Sequence, residues 1–475
     1  MIAALGLRRD PQRRGRSGTP GSSNRSLPAT GPALITDAMT LVFVTRRWDK
    51  AGANDRARTT AHRRKQMANA SGRTALEEWK YGWPVVIAAA FGCSLAGLHI
   101  YSTGVFIEPL QAAFGWTRAE VTSGLSIVAI VGILLSPVIG FMVDRWGSRA
   151  VAIPGSLIFC LSMGGLSFAG PSIVSWWILW TVVGVASLAL MPTVWTAAVS
   201  AKFVVSRGLA LALMLCGTGL SSAIYPFLTN VLINALGWRG AYMMLAGISI
   251  VIIIPILWIA FVDVRVQAVG ETKPAINGWM VQEALRKRQF YQLCITAPLI
   301  TTIIVGFVVH LVPLLTWSGV DRDLSVKLVG LIGITSVIGR LLMGHFLDRL
   351  PGPPLGVISV LLPVIAAILL LSFTASLPIK LLAVVLLGLS VGGEYDAVIY
   401  LSTRYFGLRN FGKLFSIIAG LMMAGVGLGP FVAGALYDAS NSYRPFLLFV
   451  VPAGLLCALM IGTLGRYPDH LSDPK

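Results

Sequence analysis

Between Trp83 and Arg466 the chain passes through twelve apolar stretches separated by short polar breaks. A helix of about 20 such residues spans the hydrocarbon core of a bilayer and satisfies its own backbone N–H and C=O groups there. The pattern therefore predicts an all-α membrane protein with spans near 83–106, 119–142, 150–169, 173–199, 207–235, 240–262, 291–316, 326–347, 354–375, 379–402, 413–437 and 444–465. Composition agrees. Charged residues make up 12% of the chain and apolar ones 55%, with a mean hydropathy of +0.77. A soluble globular chain carries about 25% charged residues.

The twelve stretches form two sets of six. Gly140-Phe-Met-Val-Asp144-Arg145-Trp-Gly147-Ser-Arg149 follows the second stretch, and Gly344-His-Phe-Leu-Asp348-Arg349 follows the eighth, an offset of 348 − 144 = 204. Trp238-Arg239 opens the sixth stretch and Tyr443-Arg444 the twelfth, offset by 444 − 239 = 205. Gly217 and Gly219 precede Pro226 in the fifth, as Gly425, Gly427 and Gly429 precede Pro430 in the eleventh. The paired loops resemble those of the major facilitator superfamily, written G-x-x-x-D-[RK]-x-G-[RK]-[RK]. The first copy departs only at Ser148, whereas the second runs into Leu350-Pro351-Gly352 and lacks the basic tail. The resemblance implies two pseudo-symmetric six-helix bundles, 81–262 and 291–466. They are joined by a cytoplasmic linker at 263–290 and flanked by tails at 1–80 and 467–475. Carriers of this build rock about a site between the halves near mid-membrane.

An aspartate at a helix end can cap the free N–H groups that start a neighbouring helix. By the pseudo-symmetry, Asp144 is expected to face the start of the eleventh span near Gly412, and Asp348 the start of the fifth near Gly208. Gly140, Asp144, Arg145, Gly147, Gly344, Asp348 and Arg349 are thus the candidate cytoplasmic gate, with glycine allowing close helix approach.

The net charge of +18 does not mark a nucleic-acid binder, because it is not gathered on a folded surface. Sixteen of the 38 Lys and Arg lie in residues 1–80, and most others flank apolar runs. Loops after even-numbered spans, with the C-terminal tail, hold fifteen; the opposite loops hold six. Positive charge favours the cytoplasmic face, so both termini and both Asp-Arg loops are expected there, in the inner (cytoplasmic) membrane. Residues 1–66 read as a disordered basic tail or as sequence ahead of a true start at Met67. The five cysteines show no metal or redox spacing, and no cofactor is expected.

Ionisable residues inside a span are costly unless paired or wetted, which makes them pointers to a pathway. Arg340 lies eight residues before Asp348, about 12 Å of helix, near the bilayer centre. Two readings stay open: an anion site, or a structural ion pair with Glu394 or Asp396. Those two acids lie in the tenth span and point about 200° apart on a helix, so different roles are expected. Glu394 is central and could couple protons to substrate. Asp396, nearer the cytoplasm, could couple protons or brace the Arg404–Lys413 loop. His99 is a further proton candidate, and Tyr101, Tyr225 and His310 could donate to a bound carboxylate.

Several stretches resemble the monocarboxylate transporters and their bacterial oxalate/formate-antiporter relatives within the superfamily. They are Tyr101-Ser-Thr-Gly-Val-Phe106, Phe114-Gly-Trp-Thr-Arg118, Arg207-Gly-Leu-Ala210, His310-Leu-Val-Pro313, Gly339-Arg340 and Glu394-Tyr-Asp396 followed by Arg404-Tyr-Phe-Gly407. In that branch an eighth-span arginine four residues before the motif glycine contacts the substrate carboxylate, and Arg340 holds that place relative to Gly344. Ser336 stands where the animal transporters often carry an acid, and Tyr101 where they carry a lysine. The eleventh-span lysine of the oxalate exchanger has no counterpart between Phe415 and Tyr437. One cavity cation favours a monoanion.

The sequence thus reads as a secondary transporter, functional as a monomer, for a small organic anion with protons or a counter-anion as partner. The alternatives are a proton-driven exporter of hydrophobic compounds and a transporter-like sensor. An enzyme finds no support in a metal cluster or nucleophile–base arrangement, and a phosphate-binding loop for ATP is lacking.

Overall fold

The computed structural model describes residues 75–468, apart from Val204, 263–277, 373–375, Leu408 and the side chain of Asp144. The tail 1–74, including the alternative start at Met67, and the bulk of the linker lie outside the described residues. Eleven of the described helices are long and apolar enough to cross a membrane. The longest, Arg207–Ala260, turns at Gly237, whose φ of 70° is a left-handed conformation that glycine adopts without strain. Its two legs are the fifth and sixth spans, which brings the total to twelve.

The first four spans are Ala75–Phe114, Arg118–Trp146, Ser148–Phe168 and Ile173–Lys202. After the sixth come Arg288–Trp317, Arg322–Leu347, Gly352–Ser372, Leu377–Phe406, Phe411–Ser440 and Arg444–Gly462. Buried apolar side chains gather into two main cores. One runs from Val85 to Phe261 around Trp176, Trp180 and Trp195 and takes in Val309 of the seventh span; the other runs from Trp279 to Leu464 and takes in Val105 of the first.

The repeat seen in the sequence extends to turn chemistry. The turn before the second span pairs Gly115 at φ 72° with Thr117, which caps the helix in a box with Glu120. The turn before the eighth pairs Gly319 at φ 89° with Asp321, whose carboxylate accepts from the Asp323 and Leu324 N–H groups. Both pairs are offset by 319 − 115 = 321 − 117 = 204.

Close packing repeats too. A Cβ on Gly217 would meet the Ala90 carbonyl oxygen at 2.0 Å, and one on Gly425 the Pro298 carbonyl oxygen at 2.5 Å. These pairs share the offset 425 − 217 = 298 − 90 = 208. In both halves, then, a glycine seats the fifth helix directly on the backbone of the first.

Two boundaries differ from the sequence reading. The first helix starts at Ala75 rather than Trp83, so 75–80 belongs to the bundle and not to the tail. Glu77 and Glu78 in its first turn make this stretch read as polar tail, yet acids suit a helix start. Glu78 is also buried, and it accepts from the Val205 and Ser206 N–H groups ahead of the fifth span. The end of the linker is likewise structured. Trp279 N–H donates to the Phe406 carbonyl at 2.9 Å, Asn410 Nδ2 donates to the Trp279 carbonyl at 3.0 Å, and a short helix covers Val281–Ala284.

Candidate functional site

The eighth and tenth helices run in close contact because glycines remove the side chains between them. A Cβ on Gly339 would stand 2.3 Å from the Leu389 carbonyl oxygen, and one on Gly392 2.0 Å from that of Ser336. This contact sets Arg340 beside Asp396, with Nη1 3.8 Å from Oδ1. That is an ion pair without a hydrogen bond. Nη1 is buried and has no hydrogen-bond partner among the described residues. Across the gap between halves the guanidinium comes within electrostatic reach of Cys93 and Tyr101 on the first span and Cys216 on the fifth. Tyr101 stands there beside Ser222. A charged donor thus reaches from one bundle toward the other with hydrogen-bonding capacity unused.

Glu394 points elsewhere, as its spacing from Asp396 requires. It is buried at 7% exposure against the seventh span, where Oε1 lies 3.2 Å from Thr301 Oγ1. That hydroxyl also lies 2.9 Å from the carbonyl of Ala297. It has one proton and two claimants, so a protonated Glu394 could in turn donate to it. Oε2 has no partner among the described residues.

Four expectations from the sequence are corrected. Asp396 does not brace the loop after the tenth span; it faces Arg340, and Arg404 instead lies over the Tyr467 ring, 5.0 Å from its centroid. Tyr225 is buried inside the first half near Ser94, Cys160 and Ser249, turned away from Arg340. His99 is buried in the same half, edge-on to Phe159 at 5.7 Å. His310 is fully buried with both ring nitrogens engaged, Nδ1 by the Tyr443 hydroxyl at 2.9 Å and Nε2 by the Pro430 carbonyl at 2.8 Å. It has nothing left for a ligand.

At the end of the bundle bearing the Asp-Arg loops, Gly140, Gly208, Gly344 and Gly412 are uncrowded, each with room for a Cβ and nothing within 4 Å. Asp348 is exposed, as are Arg145 and Arg349, and among the described residues Asp348 makes no hydrogen bond to the start of the fifth span. Glu78 caps that start instead. Gly147, at φ 88°, ends the second helix and donates its N–H to the Val143 carbonyl at 2.8 Å. Among the described residues, every hydrogen bond between the halves lies toward the opposite end. The innermost are Ser126 Oγ to the Gly427 carbonyl at 2.7 Å and Thr122 Oγ1 to the Pro430 carbonyl at 3.2 Å.

Sequence reasoning missed Cys93, Cys216, Ser222 and Thr301 around Arg340 and Glu394, because small polar residues in apolar helices carry no pattern of their own. It also passed over Glu108, an acid near the end of the first helix.

Comparison with known proteins adds a lineage. The family model of the Major Facilitator Superfamily matches residues 89–410 and 328–475. The chain is 28% identical over 384 residues to monocarboxylate transporter 13 of Bos taurus, which covers 80% of this chain and 87% of the bovine protein. Its fold superposes on the nucleoside transporter NupG with a TM-score of 0.65 at 10% identity, over 81% of this chain and 100% of that one. It also superposes on a bacterial homologue of the human lysosomal transporter Spinster, inward-facing and unoccupied. There the TM-score is 0.60 at 18% identity, over 81% of this chain and 94% of that one. At such identities these two structures bear on the fold alone.

Proposed function

Because this chain belongs to the major facilitator superfamily of membrane transporters, we propose that it moves a small organic anion, of the monocarboxylate class, by alternating access. The observation that carries this reading is the buried Nη1 of Arg340, which has no hydrogen-bond partner among the described residues and faces the other half. A guanidinium offers a carboxylate two parallel charge-assisted bonds, and among the described residues the ion pair to Asp396 is what competes for it. Arg340 and Asp396 together are neutral, which suits one incoming negative charge better than two. Similarity to a protein named for monocarboxylate transport points the same way.

In this reading Tyr101 and Ser222 line the substrate side of Arg340. Glu394 carries the proton where uptake is proton-coupled; exchange for a second anion is the other mode. Asp144 and Asp348 close the loop-bearing end in the opposite state. The excess of Lys and Arg on that end supports a cytoplasmic face of the inner membrane for it and for both termini.

The test is thermal stabilisation of the purified protein by a panel of mono- and dicarboxylates, repeated with Arg340→Gln. Loss of a hydrogen-bonded charge costs about 1.5–3 kcal/mol, so the best ligand is expected to bind roughly 10- to 150-fold more weakly to the variant. Equal stabilisation of both proteins by every carboxylate would overturn the anion site.

A further inference from the structure

We propose that Glu108 and Asp438 are positioning residues of the transport cycle. They are the two carboxylates of a two-armed latch that holds the bundle shut at the end opposite the Asp-Arg loops. In the first arm Asp438, near the end of the eleventh span, accepts from the backbone N–H groups of Arg118 at 3.0 Å and Ala119 at 2.8 Å. These are free donors of the first turn of the second span. The Arg118 guanidinium lies over the Tyr437 ring, 3.6 Å from its centroid, and donates to the Tyr443 hydroxyl, which His310 also engages. In the second arm Arg322, which opens the eighth span, pairs with Glu108 of the first and donates to the Val105 carbonyl at 3.0 Å. Its Nε also lies 3.4 Å from Asn230 Oδ1, while Asn230 Nδ2 donates to Asp323 at 2.8 Å.

The arms are related by the internal repeat. Arg118 and Arg322 differ by 322 − 118 = 204, and Asn230 and Asp438 by 438 − 230 = 208. Each arm therefore ties the start of one half's second helix to the end of the other half's fifth. The chemistry is what a reversible closure needs. The Arg322 and Glu108 side chains keep 28% and 30% of their exposure, so water can replace either partner as the halves part. An exposed ion pair and a helix cap contribute little enough to break within a transport cycle. This inference is independent of the substrate's identity.

The test uses the full chain in membrane vesicles of both orientations, treated with a membrane-impermeant maleimide. Modification of Cys216 is read by mass spectrometry of its peptide. Cys216 stands at the gap beside Arg340, while Cys93, Cys160 and Cys457 are buried. In the unaltered protein Cys216 is expected to react chiefly from the face bearing the Asp-Arg loops.

Glu108→Gln with Asp438→Asn should raise labelling from the Glu108 face relative to the other by about tenfold, and Glu108→Gln alone by about threefold. Exchanging the charges, with Glu108→Arg and Arg322→Glu in one chain, should return the ratio toward its original value. A purely structural role does not predict that return. The single variant leaves the Asp438 cap intact and decides the matter if the double variant fails to fold. An unchanged labelling ratio in a folded variant, or no recovery in the charge exchange, would overturn the latch.

Discussion

Removing the charge of Asp396 is the most incisive perturbation of the candidate site, because it should strengthen binding rather than weaken it. Asp396 lies 3.8 Å from the Arg340 guanidinium. Two unit charges at that distance attract by about 4 kcal/mol at an effective dielectric constant of about 20. The side chains keep 11% and 22% of their exposure and share no hydrogen bond, so most of this attraction is returned to solvent; pairs open to water contribute about 1 kcal/mol or less. Between those limits, about 1–2 kcal/mol is what an incoming carboxylate must displace. Asp396→Asn keeps the shape and removes the competitor. The best-stabilising carboxylate should then bind roughly 5- to 30-fold more tightly by titration calorimetry. In the Arg340→Gln background the same change should have no effect, since the two residues act on one interaction. Weaker binding to Asp396→Asn in an otherwise folded protein would refute the reasoning and make Asp396 a ligand of the substrate instead of a rival to it.

Gly392→Ala would drive a methyl to within 2.0 Å of the Ser336 carbonyl oxygen and 2.7 Å of the Arg340 amide nitrogen. Backbone cannot step aside, so the melting temperature and the yield of folded protein should fall, with overpacking of about 1–3 kcal/mol; unaltered melting would contradict the helix contact. Gly412→Leu meets open space in this conformation and should melt like the parent, yet it should slow transport if the loop-bearing end must close over it. Unimpaired uptake would remove Gly412 from the gate. Glu394→Gln keeps an acceptor for Thr301 but cannot carry a proton. It should leave carboxylate binding intact, abolish uptake driven by a pH gradient, and spare exchange of internal for external substrate; gradient-driven uptake that survives would clear Glu394 of coupling.

Position along a helix was legible from the sequence, and direction was not. Counting residues from Asp348 put Arg340 two turns inside its span, and the offset of 204 paired the loops at Asp144 and Asp348. Which way a side chain points is harder, because these helices are apolar on the faces toward lipid and toward protein alike, and so lack the polar stripe that orients a surface helix. Tyr101 and Tyr225 looked equivalent as phenols in apolar spans; one stands at the gap and the other is sunk in the first core. His310 looked free and is saturated by Tyr443 and Pro430. The Glu394–Asp396 spacing was the exception, since two residues two apart must diverge whichever way the helix is turned.

The same limit explains why one end of the bundle announces itself in the sequence and the other does not. At the loop-bearing end a turn must carry the chain from the second span to the third and from the eighth to the ninth. Glycine, aspartate and arginine therefore stand at fixed spacing and can be matched between halves by eye. At the opposite end the contacts come from helix ends that meet only in three dimensions. Asp438 reaches a helix start 319 residues away in the chain, and Arg322 reaches Glu108 over 214. In the proposed cycle both ends would call on one physical device, a carboxylate set against the exposed N–H groups or cation at a helix start. That device suits a carrier better than apolar contact would. Water can take over a cap or an exposed ion pair as soon as it opens, whereas parted apolar faces would have to be wetted at about 25 cal/mol for each Å². Apolar helix faces also meet across the halves, as where Gly333 packs on Ala223 and Gly427 on Ala129, so the polar contacts at each end are the replaceable part of a seam that packing shares.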